Sequence, residues 1–224
     1  KNPTSTVTYK KTPAIGQASV KITGKGLYKG TKTVNFNIRP ATVTKLKVSS
    51  TGEKSVKLSW KKVTGADSYA IYRYDNTSKK WQRIKTVKAV SFTDSGLARA
   101  KGYSYKVKAV KKSGGKEYIS ASYSKAVEAV TKPAKASCTA KSAGSGSIEV
   151  SWKAVGGASG YEIYSSSNGS DYVKSAKVGG SQKSAIVSGF EPYSLRMVKV
   201  RAYKTVNGKT SYGAFSQAVM VIFR

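Results

Sequence analysis

The sequence predicts an all-β protein built from two copies of one unit, and three observations carry that prediction. The stretch Val56 to Tyr72 recurs as Ile148 to Tyr164, at a constant offset of 92 residues from Trp60 to Trp152. In each copy an alternating strand ends on Trp, a Val-x-Gly-Ala turn follows (Val63, Gly65, Ala66; Val155, Gly157, Ala158), and a second strand opens on Tyr and Ile (Tyr69, Ile71; Tyr161, Ile163). A repeat of that length is too long for a solenoid unit and suits a small all-β domain.

The first 40 residues read as strands broken by glycine: Thr6 to Tyr9, Gly16 to Thr23 and Thr31 to Ile38. Alternation through Ala18, Val20 and Ile22 ahead of a glycine-rich turn marks a half-buried hairpin. Three short strands form a marginal unit alone. Arg39-Pro40 sets a boundary, because proline removes a ladder donor and fixes the approach of the chain. From Ala41 the period of two returns. Val43, Leu46 and Val48, then Val56, Leu58 and Trp60 face inward, with Lys57 and Ser59 outward. Asp75-Asn76-Thr77-Ser78 turns the chain, and Trp81, Ile84 and Val87 lie on the return. Thr131-Lys132-Pro133 is the second boundary, a short proline linker of the semi-rigid kind. The expected divisions are therefore residues 1–39, 40–132 and 133–224.

Leu97, with Tyr103 six residues on, leads into a strand carrying Tyr105, Val107 and Ala109, the tyrosine-corner arrangement of Ig-like sandwiches. With the Trp-to-Tyr strand pair, residues 41–131 resemble a fibronectin type III domain, and 134–224 resemble the same family through Trp152, Tyr161, Ile163, Val198, Val200 and Ala202. The resemblance implies two Ig-like (fibronectin type III) β-sandwiches in tandem, with Trp60, Tyr69, Leu97, Tyr103, Trp152 and Tyr161 as structural core. The second copy departs at the corner. Arg196 falls opposite Tyr103 and Phe190 stands in for Leu97, so the corner bond is expected to be missing unless Tyr193 replaces it, and this copy is expected to be the less stable. The first 40 residues resemble the closing part of bacterial Ig-like repeats through Gly24, Gly26, Tyr28, Gly30 and Thr31. On that resemblance they form a three-strand remnant that packs on the next domain or pairs with another chain. The chain also opens without Met inside a strand-like pattern, which reads as a piece of a longer protein.

Lys and Arg number 41 against 10 acids, for a formal charge of +31. Such a field favours polyanions: nucleic acid, teichoic acid, anionic polysaccharide or membrane headgroups. Lysine on outward strand positions also keeps sheet edges soluble and unpaired. One cysteine, Cys138, allows no internal disulfide and reads as a buried, inert thiol. No apolar run is long enough for a membrane helix, and no charged-then-apolar leader is visible, so membrane insertion is not expected.

The chain has no histidine. That excludes Ser-His-Asp and Cys-His catalysis and imidazole metal sites. Glu149 and Glu162 could neighbour one another but are expected on different sheets, so paired-carboxylate chemistry is not supported. Gly114-Gly115, Gly144-Ser145-Gly146 and Gly179-Gly180 read as hairpin turns, since no helix follows them as a phosphate loop requires. Asn76-Thr77-Ser78 and Asn168-Gly169-Ser170 fit the glycosylation triplet, with turn formation the favoured role. No catalytic residue, metal site or cofactor is expected.

One constellation could bind a ligand. The third and sixth strands of each copy, neighbours in the family's sheet, present Tyr72 and Tyr74 with Lys106 and Lys108 in the first copy, and Tyr164 with Lys199 and Arg201 in the second. Cations beside rings can hold a polyanion or stack a sugar. The same pairs also serve as ordinary cross-strand stabilisers. The resemblance implies a non-catalytic spacer and adhesion module of a secreted or cell-surface bacterial protein, of Gram-positive type, joined to other domains of its parent chain and contacting an anionic cell-envelope polymer or polysaccharide. The alternative is a carbohydrate-binding accessory to a larger extracellular glycoside hydrolase or peptidase. Specific nucleic-acid binding has the charge but no recognition helix or zinc ligand set.

Overall fold

A computed structural model describes residues 14–25, 29–144 and 146–222, and the backbone alone for 5–9. The described residues are all-β, with no helix. Three strands open the chain: β1 (Ser5–Tyr9), β2 (Gly16–Gly24) and β3 (Thr31–Ile38), paired antiparallel in the order β1-β2-β3. They match the three expected strands within a residue or so. Gly26 and Tyr28 of the Ig-like signature lie outside the described residues.

The first copy supplies β4 (Lys47–Thr51), β5 (Ser55–Ser59), β6 (Ser68–Asp75), β7 (Lys80–Val87), β8 (Ser91–Ser95), β9 (Gly102–Ser113), β10 (Lys116–Ile119) and β11 (Val127–Val130). The second supplies β12 (Cys138–Ser142), β13 (Ser147–Trp152), β14 (Gly160–Ser166), β15 (Val173–Gly179), β16 (Ser184–Ser188), β17 (Leu195–Val206), β18 (Lys209–Tyr212) and β19 (Val219–Ile222). Each set forms one three-stranded sheet, β4-β5-β8 or β12-β13-β16. Each also forms one five-stranded sheet, β10-β9-β6-β7 with β11 on β9, or β15-β14-β17-β18 with β19 on β17. Eight strands recur in the same order and the same pairing. This is the Ig-like, fibronectin type III arrangement that the sequence predicts.

The repeat extends to single hydrogen bonds. The Tyr69 hydroxyl accepts from the Val63 N–H at 2.8 Å, and Tyr161 accepts from Val155 at 2.7 Å. The Leu97 N–H bonds the Lys54 carbonyl at 3.0 Å and the Phe190 N–H bonds that of Gly146 at 3.1 Å, so Phe190 takes the place of Leu97. Each turn after Trp is thus pinned by the first tyrosine of the next strand, which explains why the two residues recur together.

In the second copy, Ile148, Val150, Trp152 and Val187 from one sheet meet Tyr161, Ile163, Val198, Val200, Ala202 and Val221 from the other in a single apolar core. Val56, Leu58, Trp60, Tyr69, Ile71, Tyr105, Val107 and Ala109 are the buried residues at matching places in the first. Trp60 meets Tyr69 edge-on, with ring centres 5.4 Å apart, and Trp152 lies 5.1 Å from Tyr161. Along β5 and β13 buried residues alternate with more exposed ones, as a period of two dictates for a sheet with one wet face, whereas the central strands β6 and β14 begin with four buried residues in a row.

By internal contacts the chain divides into two compact units. One comprises residues 1–47, 58–92 and 104–127, and the other comprises 48–57, 93–103 and 128–224.

One expectation is corrected and two are made specific. Cys138 is only partly buried, with its sulfur 3.1 Å from the Ser216 hydroxyl. Tyr193 is 87% exposed and does not fill the vacant corner, where Arg196 lies over the Phe190 ring at 5.2 Å. Glu149 lies on β13 and Glu162 on β14, in different sheets as expected, and Glu162, on the same face as Tyr164 and not in the apolar core, is buried by its pairing with Arg201 and Lys174. The turn triplets differ from one another. Asn168 accepts from the N–H groups of Ser170 and Asp171, both at 2.9 Å, whereas in the first copy Asp75 does this work by accepting from Thr77.

Candidate functional site

In each copy the wet face of the five-stranded sheet carries the candidate residues. Strand β6 runs antiparallel to β9 with Tyr72 directly opposite Lys106 and Ala70 opposite Lys108. Strand β14 runs against β17 with Tyr164 opposite Lys199 and Glu162 opposite Arg201. Because side chains two apart share a face, Lys106 with Lys108 and Lys199 with Arg201 each form a short cationic row. Register places the rows on the tyrosines of the neighbouring strand, so all seven predicted residues come together as two groups.

In the first copy the rings make a cluster under the ammonium groups. Tyr72 meets Tyr123 edge-on at 4.9 Å, and Tyr74 meets Trp81 at 5.3 Å. The Lys106 Nζ stands 4.4 Å from the centre of Trp81 and 5.4 Å from that of Tyr123, and the Lys108 Nζ stands 4.2 Å from Tyr123. Lys108 also donates to the Ala121 carbonyl at 3.0 Å. Arg83 pairs with Glu117 at 3.0 Å, and this contact holds the Glu117 carboxyl below its ordinary range. Burial raises the Tyr72 hydroxyl, with Tyr123 adding to the effect.

The second copy is built differently on the same plan. The Lys199 Nζ lies 3.5 Å from the centre of Tyr172 and 4.5 Å from Phe215. Arg201 is wedged among Tyr212, Phe215 and Tyr164 at 4.1, 4.9 and 5.1 Å. Its guanidinium donates twice to one oxygen of Glu162, at 2.7 and 2.9 Å, and once to the Tyr164 hydroxyl at 2.9 Å. Lys174 reaches the other Glu162 oxygen at 3.4 Å. Burial alone would push the Glu162 carboxyl up, but the hydrogen bonds and charges of Arg201 and Lys174 win and hold it below its ordinary range. Arg201 is therefore neutralised from within the fold.

Five aromatic residues of these faces were missing from the sequence-based set: Trp81, Tyr123, Tyr172, Tyr212 and Phe215. Tyr123 and Phe215 lie in loops, where alternation gives no signal. They do stand 92 residues apart, so the offset that reveals the repeat would also have found them. The sequence by itself offers Glu162 only as a possible neighbour of Glu149.

No protein-family model matches the chain. Over 100 residues, 45% of its length, it is 43% identical to a poly(3-hydroxybutyrate) depolymerase of Ralstonia pickettii. The match spans 18% of that enzyme. Among solved structures it is similar to a two-domain fibronectin type III segment of chicken tenascin, at 18% identity and a TM-score of 0.49, covering 80% of this chain and 98% of that one.

Proposed function

We propose that the chain is a non-catalytic spacer and adhesion module of a secreted or cell-surface bacterial protein, and that it holds anionic envelope or host polymers on the sheet face around Lys106 and Lys108. The observation that carries this reading is the difference between the copies at one register position. Ala70 stands opposite Lys108, where Glu162 stands opposite Arg201. The first copy thus presents two ammonium groups fixed over rings with no carboxylate across the strand, while the second neutralises half of its pair. Rings whose faces already hold an ammonium group are poorly placed to stack a sugar. The same arrangement pre-orders two cations for an anion, which lowers the ordering cost of binding.

A second reading is a carbohydrate-binding accessory region of a larger extracellular hydrolase. It is favoured by the identity shared with 18% of a depolymerase. The readings differ in salt dependence. Retention on immobilised teichoic acid or another polyanion that falls steeply from low to moderate salt supports adhesion by charge. Saturable retention on a neutral glycan that persists at high salt supports the accessory reading. Equal polyanion retention by the chain and by its Lys106→Ala/Lys108→Ala variant removes this face as the site.

A further inference from the structure

The same two elements make the same contact in each compact unit. In the first, a Cβ placed on the turn glycine Gly65 would lie 2.8 Å from the Ile15 side chain, and one on Gly16 would lie 3.4 Å from the Ser113 hydroxyl. In the second, a Cβ on Gly157 would lie 3.1 Å from the Ala100 methyl, and one on Gly102 would lie 2.9 Å from Val206. Gly157 is the repeat of Gly65, and Val206 is the repeat of Ser113 at the last residue of a strand of 12. Both hairpins that follow have positive φ at both central residues, Gly114-Gly115 and Asn207-Gly208. This is the tight turn that makes a narrow tip. In the second unit the tip also donates from the Asn207 amide and the Lys209 ammonium to Glu128, at 3.2 and 3.1 Å. A glycine turn and a hairpin tip thus press on a short receiving surface twice in one chain.

A third surface repeats the receiving residues of the second unit, with its apolar side chains exposed. Tyr193 repeats Ala100, and the two share a rare positive φ, 56° and 49°. Leu195 repeats Gly102 as the first residue of its strand, and Met220 and Ile222 repeat Glu128 and Val130. Val130 is 6% exposed, whereas Ile222 is 59%, Met220 56%, Leu195 37% and Tyr193 87% exposed. The cross-strand pairs Leu195 with Ile222 and Met197 with Met220 make Leu195, Met220 and Ile222 one apolar patch on adjoining strands, and Tyr193 stands two residues before Leu195. In a chain of charge +31, three large apolar side chains in one exposed group, with an exposed tyrosine two residues away in sequence, mark an interaction surface.

We propose that this patch docks another sandwich of the same type, which presses a glycine turn against Tyr193 and a hairpin tip against Leu195. The partner's tip must be small. Gly102 accommodates Val206, but Leu195 brings its own bulk, so a tip like Ser113-Gly114-Gly115 fits where Val206 would collide. A second copy of the chain cannot be the partner in its present form, because both of its docking pairs are already engaged.

The test extends the full chain after Arg224 with a repeat of its own residues 40–132, which carries Gly65 and the Ser113 tip. In a Cys138→Ser background, the thiol introduced by Tyr193→Cys is labelled with a water-soluble maleimide in the chain with and without the extension. Docking is expected to slow labelling about tenfold, equivalent to about 1.4 kcal/mol of closure. Gly65→Trp in the appended copy alone should restore the fast rate. Equal rates with and without the extension overturn the proposal. So does slow labelling of the unextended chain together with a dimer in sedimentation, which would make a second copy the occupant. Tyr193 is almost wholly exposed, so its replacement does not threaten folding. Labelling of a Lys61→Cys variant, at an exposed position two residues after β5, reports independently that each protein is folded alike.

Discussion

The hydroxyl of Tyr103 accepts a hydrogen bond from the backbone N–H of Ala98 at 2.9 Å, closing the corner that leads into β9. Its repeat, Arg196, is a cation lying over the Phe190 ring. The two sandwiches therefore share a core plan but not this tie. Tyr103→Phe should destabilise the chain by about 1 kcal/mol, the net worth of one such bond. Hydrogen exchange should find the amides of β13 opening more readily than those of β5. Equal protection of the two strands would show that something else secures the second copy.

The two core tryptophans are not equivalent. Trp152 donates its indole N–H to the Gln182 carbonyl at 3.0 Å, whereas the indole nitrogen of Trp60 is buried without a partner. Either Trp→Ala change should cost about 3 to 5 kcal/mol, a large part of a domain's stability. Trp→Phe separates them. Trp152→Phe leaves a carbonyl unpaired and should cost about 1 kcal/mol more than Trp60→Phe. Denaturant titration of the two variants measures the difference.

Glu162 makes stability depend on acid. Its folded-state pKa is depressed by Arg201 and Lys174 against the opposing effect of burial. A depressed carboxylate contributes stability that is fully present above the unfolded pKa, near 4.3, and is lost as pH falls through the lower folded value. Melting temperature should therefore drop on acidification below about pH 4.3. Glu162→Gln should flatten that part of the profile while lowering stability at neutral pH by about 1.5 to 3 kcal/mol, as expected for loss of charge-assisted hydrogen bonds. An unchanged acid profile would mean that other carboxylates govern it.

The copies should differ as polyanion sites. Lys106→Ala/Lys108→Ala should weaken retention on a polyanion strongly and reduce the slope against log salt by up to about two, roughly one per cation removed. Lys199→Ala should reduce it by about one or less, and Arg201→Ala should act mainly on stability because Glu162 would keep only its longer contact with Lys174. Affinity chromatography at three salt concentrations distinguishes these outcomes.

Strand positions and pairing were largely legible because burial on one side of a sheet forces a period of two, and because Trp60 to Trp152 repeats that period in full. Tyr72, Tyr74 and Tyr164 could be placed beside Lys106, Lys108, Lys199 and Arg201 for the same reason: once the third and sixth strands are neighbours, alternation decides which residues share a face. Trp81 was placed on its strand but not in the cluster, because reaching Lys106 across β6 depends on a long side chain bending over a sheet. Tyr123 and Phe215 sit in loops, where no periodicity operates.

Thus the order of residues determined the all-β class, the two copies and the faces that meet water, since each follows from local alternation and an internal repeat. Only the tertiary structure decided that Glu162 is buried and cancels Arg201, that the rings of the first copy carry ammonium groups on their faces, and that the end of the second copy exposes an apolar patch. These depend on distances between strands and loops far apart in the chain, and a pattern of near neighbours carries no record of such distances.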